Sequence, residues 1–199
     1  MRQVFLVRHT SHDRLGRLLC GRMPGVHLSA QGRAEAEAMA GALVRRVETG
    51  TLVLSSPQAR AQETAAPLAQ KLGTMVETSA DLDEIDFGAW TGRTFADLEP
   101  DAAWTAWNGE RATTRPPGGE SMGEAQARAL RLLDRLGREN NPPAILVSHA
   151  DTIRAALLGV LGLSLDAYDR LVVAPASWSE LALWPGGGRV VSINERAQP

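Results

Sequence analysis

Three short apolar runs constrain this chain more than anything else in it: VFLV (Val4 to Val7), TLVLSS (Thr51 to Ser56) and AILVSH (Ala144 to His149). Each is continuous. A strand with one wet face alternates apolar and polar residues, because successive side chains point to opposite faces. An unbroken run therefore reads as a strand covered on both faces, as in the centre of a parallel sheet. Parallel strands need long crossovers, and the segments between the runs supply helices. In LSAQGRAEAEAMAGALVRRV, Ala36, Met39, Ala40, Leu43, Val44 and Val47 recur at helical spacing behind Ser29, a suitable N-cap. Ser56-Pro57 is expected to open the next helix, with the proline at its first position. ESMGEAQARALRLLDRLG sets Ser121 and Glu124 at capping-box spacing, with Met122, Ala125, Ala129, Leu132, Leu133 and Leu136 on one face, and should stop near NNPP. DTIRAALLGVLG follows the third run directly. ELALW and RVVSIN flank the turn PGGG (Pro185 to Gly188) and predict a hairpin.

These elements give an α/β fold, a three-layer α/β/α sandwich with a mostly parallel central sheet, as one domain over 1–199. The stretch from about Asp81 to Gly119 is different. It holds Trp90, Trp104, Trp107 and PPGG, and reads as an insertion or lid. The net charge of −2 argues against nucleic acid or an anionic membrane as partner. Cys20 is the one cysteine, so no intrachain disulfide and no multi-cysteine zinc site can form. That composition suits a reducing, cytoplasmic setting. The N-terminal apolar run is short and meets charge at once, so it reads as neither signal peptide nor membrane span.

The polar residues at the strand ends point to chemistry. The first run ends in Arg8-His9, the second in SSPQARAQET with Arg60 in a first helical turn, the third in Ser148-His149 at the start of a helix. Ligands of parallel α/β sheets bind outside the carboxyl ends of the strands, and helix N-termini favour anions. Two arginines and two histidines meeting there would bind a dianion. Phosphate fits best, since guanidinium forks grip its oxygens in pairs. A histidine kept neutral by neighbouring arginines can attack phosphorus, and a second can stabilise the charge that moves. DLDEIDFGAWTG sets Asp83, Glu84 and Asp86 beside apolar Ile85, Phe87 and Trp90. A carboxyl against apolar walls holds its proton to higher pH and can donate it.

LVRHT, SSPQARAQETA, DLDEIDFGAWTG, PPGGESM and VSHADTIRAAL, in that order and spanning nearly the whole chain, resemble the histidine phosphatase superfamily, also called phosphoglycerate mutase-like. The resemblance implies that His9 becomes phosphorylated, that Arg8, Arg60 and His149 bind the phosphoryl group, and that Glu84 is the proton donor. It implies a ping-pong reaction on small phosphorylated metabolites with no metal or organic cofactor. The chain departs from the usual pattern at Thr10, which replaces a glycine, and in having no clear asparagine in the loop that follows. Ser11 or His12 is left to make that phosphate contact. Ala150 stands where glycine is common, which is tolerable unless the backbone needs a positive φ. Arg22, in GRMPGVHLSAQG, is expected at the pocket rim.

The short length favours a phosphatase over the mutases of the family, which carry a larger insertion. A phosphomutase or phosphotransferase and a catalytically silent phosphate-binding module are the alternatives. Intact His9, Glu84 and His149 argue against the silent module. Arg111 and Arg115 lie in the lid segment and could hold a second acidic group of a substrate. The tryptophans are expected to pack that segment, with room for one at the pocket mouth. His27 and Cys20 read as bystanders. An edge strand or an exposed tryptophan would allow a homodimer.

Overall fold

The structure, a computed structural model, describes residues 1–138 and 142–197. The strands are β1 (Arg2–Arg8), β2 (Leu52–Ser55), β3 (Val76–Thr78), β4 (Ala144–Ser148), β5 (Ser177–Trp184) and β6 (Gly187–Arg196). The helices are α1 (Ala30–Leu43), α2 (Ala59–Leu72), α3 (Phe95–Leu98), α4 (Ala102–Gly109), α5 (Met122–Arg138) and α6 (Ala150–Leu161). One sheet runs in the order β3-β2-β4-β1-β5-β6. The pairs β2·β3, β2·β4 and β1·β4 are parallel, whereas β5 and β6 add an antiparallel edge.

The continuous apolar runs sit where their pattern requires. Val4, Leu6, Leu54 and Leu146 pack on one face against Leu132, Leu133 and Leu136 of α5 and Ile153 and Leu157 of α6. Phe5, Val7, Val53, Ile145 and Val147 pack on the other against Met39 and Leu43 of α1 and Ala65 and Leu68 of α2. Neighbouring residues of one strand thus enter opposite cores, and the three layers follow. Each fully buried Leu, Ile, Val or Phe side chain here contributes about 1.5–3 kcal/mol of transfer free energy.

Caps and turns fall close to the sequence reading. Ser29 accepts the Gly32 N–H at 3.0 Å ahead of α1. Ser121 and Glu124 bond reciprocally ahead of α5, at 3.2 and 2.8 Å. Pro185 and Gly186 turn β5 into β6, with Gly186 at φ 77. Ala150 is the first residue of α6. Among the described residues only Ala176 and Asn194 are non-glycine positions with positive φ, so Thr10 and Ala150 carry side chains without backbone strain.

Two expectations need correction, and one strand was not foreseen. Pro57 does not begin α2. Ser56 N–H is still bonded to Val147 O at 2.9 Å, and its hydroxyl takes the Gln58 N–H at 3.2 Å, so the helix starts only at Ala59 behind Gln58. The helical run behind Ser29 tightens into a 3-10 turn at Val44–Arg46 and leaves Val47 outside. Strand β3 gave no signal, because three residues on a sheet edge, largely exposed, have no apolar pattern to show. The expected stop of α5 near NNPP falls partly on Asn140 and Asn141, which lie outside the described residues.

The segment between β3 and α5 forms its own small core. Phe87, Trp90, Leu98 and Trp107 pack with Met122 and Leu158. Trp107 meets Phe87 edge-on at 6.3 Å, and Trp90 meets Trp104 edge-on at 5.3 Å. The PPGG turn is pressed on the acidic stretch: Glu120 N–H bonds Asp86 O at 2.8 Å, and Ala89 N–H bonds Pro117 O at 3.0 Å. A Cβ on Gly119 would stand 2.3 Å from Asp86 O, so no other residue fits this crossing.

Candidate active site

Parallel pairing delivers the first two groups. β1 and β4 stay in register to Arg8 and Ser148, and His9 N–H still bonds Ser148 O at 2.9 Å. Both chains leave the sheet at the same edge, with the His9 and His149 rings 5.1 Å apart. Arg60, in the first turn of α2, reaches in from the β2 end, donating to Gly21 O at 2.6 Å and His149 Nδ1 at 3.1 Å. Arg8 donates to Val173 O at 2.6 Å. These bonds leave Arg8 Nε, Arg60 Nε and Nη1, and His12 Nδ1 buried without a hydrogen-bond partner. Such atoms cost about 1–3 kcal/mol each when orphaned. All three side chains line one open cavity of about 540 Å³.

The tautomers follow from the partners. His9 Nδ1 lies 2.9 Å from Thr10 O. A carbonyl only accepts, so Nδ1 carries the proton and Nε2 presents its lone pair. Arginine only donates, so His149 Nδ1 is bare and its Nε2–H donates to Ser56 Oγ at 2.8 Å. Ser56 passes the chain on to Asp83 at 3.2 Å. Burial first, then the Arg60 and Arg8 guanidiniums, hold His9 well below the usual imidazole range. Burial, Arg60 and His9 do the same to His149.

Glu84 lines the same cavity. Its carboxylate accepts from Ile85 N–H at 2.9 Å and lies 3.1 Å from Thr152 Oγ1. Burial raises its pKa, and the nearby Asp151 charge raises it further. Asp151 itself is held low: burial pushes it up, but Arg111 and Arg154 outweigh that. Of two neighbouring carboxyls, the one without an arginine partner is pushed up and the one between two arginines is held down.

Residues 4–196 match the histidine phosphatase superfamily (branch 1). The chain belongs to that superfamily. Glucosyl-3-phosphoglycerate phosphatase of Mycobacterium tuberculosis is 33% identical, covering 98% of this chain and 92% of its own length. The enzyme of that name from Mycolicibacterium vanbaalenii is 31% identical over 92% of this chain and 84% of its own. The solved complex of mycobacterial glucosyl-3-phosphoglycerate phosphatase with inorganic phosphate superposes with a TM-score of 0.86 over the full length of both chains, at 31% identity. A putative α-ribazole-5′-P phosphatase from Escherichia coli superposes at 0.85 with 26% identity, covering 100% of this chain and 98% of its own. The chain is a phosphoric monoester hydrolase of this superfamily.

Within this histidine phosphatase, Arg8, His9, Arg60 and Glu84 line the cavity. His149 is fully buried behind Arg60. Ser11 and Arg22 are not on its wall. Ser11 is drawn to α1, its N–H on Glu35 at 3.0 Å and its carbonyl accepting Ser29 N–H at 3.1 Å. Arg22 is spent behind Glu84, donating to the Glu84 carbonyl at 2.8 Å and to Glu120 at 2.7 Å. Arg115 pairs outside with Glu124, and His27 pairs on the surface with Glu63. Trp104 lines the cavity with Phe95, while Trp90 and Trp107 are core.

Sequence reading missed the struts of Glu84. Arg128 donates to the Glu84 carbonyl at 3.2 Å and to Glu120 at 2.8 Å, and Thr152 joins α6 to the Asp83 carbonyl at 2.7 Å. Arg128 could have been found, since a charge on the inner face of an amphipathic helix needs a buried partner.

Proposed function

We propose that the chain hydrolyses small phosphomonoesters through phospho-His9. The observation that carries this is the set of unpartnered guanidinium nitrogens on Arg8 and Arg60 around a histidine whose lone pair is aimed into the same cavity. The phosphoryl oxygens take up those donors. His9 Nε2 attacks phosphorus, an N–P bond forms and the P–O bond to the alcohol breaks. Glu84 gives its proton to the leaving oxygen. In the second half, Glu84 takes a proton from water, the water oxygen attacks phosphorus, and His9 recovers its lone pair. His149, tied through Ser56 to Asp83, accepts from Arg60 and so orients that guanidinium toward the moving phosphoryl group.

The segment from about Asp81 to Gly119 acts as the specificity lid. It supplies Glu84, Phe87, Phe95, Trp104, Asn108 and Arg111 to the cavity. The cavity is far larger than a phosphate, and its outer wall is aromatic. The relatives named for glucosyl-3-phosphoglycerate support a substrate of that kind: a phosphorylated hydroxy acid or sugar derivative with a ring to lay on Trp104 and Phe95.

The test is phosphate release from an aryl phosphate and from phosphoglycerate-type esters in chelator, with His9→Ala beside the wild type. Free phosphate from the wild type and an acid-labile phosphoenzyme that His9→Ala cannot form are the expected results. An isomer in place of free phosphate would make the chain a mutase. Turnover persisting in His9→Ala would overturn the mechanism.

A further inference from the structure

The loop after β1 departs from the superfamily pattern, and His12 is what it turns inward. The two residues before it are pinned. Thr10 N–H bonds Thr64 Oγ1 at 3.1 Å, and Ser11 is tied to Glu35 and Ser29. Gly32 of α1 packs so closely on Ser11 that a Cβ there would meet Ser11 O at 1.9 Å. The His12 ring is 6% exposed and lies 5.3 Å from the His9 ring. Among the described residues, its Nδ1 is the one unpartnered cavity-lining atom that sits on an imidazole rather than on a guanidinium.

Charge decides which state it holds. Arg60 and Arg8 face it across the cavity, Asp13 and Arg14 flank it on its own loop, and His9 lies beside it. Glu84, Asp151, Arg111 and Arg154 line the far walls. Burial first, then Arg60 and Arg8, hold the empty-site imidazole at about 4, with only Asp13 opposing. A dianion placed among these groups reverses the local field. The imidazole then gains by being charged, and its orphaned nitrogen gains an acceptor.

We propose that His12 is a proton-coupled phosphoryl ligand: as the phosphate dianion enters, His12 takes a proton from solvent and donates Nδ1–H to a non-bridging phosphoryl oxygen. This rests on the phosphatase reading of the site. It assigns to His12 the contact that the missing asparagine leaves open. It also makes the pocket weaker for a ligand of fixed dianionic charge as pH rises. The sign is fixed by the linkage: protonation is favoured in the bound state, so the extra affinity is fully present below the free-site value of about 4 and is lost as pH rises from there to the bound-state pKa.

Sulfate is the probe, because it stays dianionic from about pH 4 upward and its own titration does not intrude. Calorimetry in two buffers of different ionisation enthalpy reads the protons taken up with sulfate, for the wild type, His12→Asn and His12→Ala. Sulfate affinity should fall with rising pH in the wild type. His12→Asn keeps an N–H donor near the Nδ1 position and should lose close to one proton of uptake. His12→Ala should weaken sulfate roughly 10- to 100-fold at pH 5.5, the range of one charge-assisted hydrogen bond, and much less at pH 8. The nitrogen-15 shift of His12 Nδ1 in the unmutated protein, with and without sulfate, reads the same event without a variant. Unchanged uptake in His12→Asn, or an Nδ1 that stays unprotonated with sulfate bound, would overturn the role of His12 and leave the His9 mechanism standing. A wild type that binds no sulfate would overturn both.

Discussion

The floor and the outer wall of the cavity both carry arginine, and they use it in opposite ways. On the floor, Arg8 and Arg60 keep buried nitrogens without partners. On the wall, Arg111 bonds Asp151 at 3.1 Å and Asn108 at 2.9 Å, and it lies over the Tyr168 ring at 3.8 Å and the Trp107 ring at 4.7 Å. Arg154 on the same wall is bonded to Asp151 and to Leu171 O. The floor stores unmet hydrogen bonds for a ligand. The wall leaves one such nitrogen, Arg111 Nε, and spends both terminal nitrogens of that guanidinium on the protein itself. Arg111, which could hold a second acidic group of a substrate, also ties α6 to the segment carrying Trp107. The comparison teaches that an arginine's role is read from its free nitrogens, not from its presence in a pocket.

Substitutions can break that comparison, and the floor should fail hardest. Arg60→Ala should lower kcat/KM on the order of 1,000-fold, since it removes donors to the phosphoryl group and the orienting bond to His149. Arg60→Lys should recover little, because an ammonium cannot reproduce the fork. Steady-state rates for both variants check this, and near-full rescue by lysine would mean the site needs charge alone.

Glu84→Gln comes next. It should lower kcat/KM, which reads the first half-reaction alone, by about 100-fold on alkyl phosphates, whose leaving oxygen needs a proton, and by far less on a nitrophenyl ester, which leaves unaided. Equal losses on both esters would remove Glu84 from the acid role.

The wall should answer differently. Trp104→Leu should raise KM about tenfold for a sugar-bearing ester and leave sulfate affinity unchanged, since Trp104 touches the cavity but no floor donor is bonded to it. A parallel loss of sulfate binding would erase the division between floor and wall.

The same histidines also set stability. His9, His12 and His149 are all held below their ordinary range in the fold. Their contribution is fully present above the unfolded imidazole value, about 6.5, and is lost as pH falls through the folded values. His12 alone should cost about 1.4 kcal/mol per pH unit between about 6.5 and 4. Urea midpoints at pH 7 and 5 measure this, and His12→Asn should flatten the slope. Added sulfate should flatten it as well, because it brings His12 back toward the charged state.

The sequence by itself determined the sheet centre and the reactive pair. VFLV and AILVSH are strands because unbroken apolar runs must be covered on both faces, and Arg8-His9 and Ser148-His149 must then emerge together where parallel neighbours end in register. Ser29 and Ser121 fixed their helix starts by local hydrogen bonds, which need nothing distant. Tertiary structure decided the rest. Nothing local separates Ser11 from His12. Only the packing of Gly32 against Ser11 and the pull of Glu35 turn one outward and the other into the cavity. Nothing local separates Asp83, Glu84 and Asp86 either. Asp83 is taken by Ser56 and Gln58, Asp86 by the Gly88 N–H, and Glu84 alone is left facing the cavity with Asp151 near it. Periodicity and capping are short-range and leave their mark on the residues themselves. Which of several like side chains is buried, free or paired depends on partners tens of residues away, and only the folded chain brings those together.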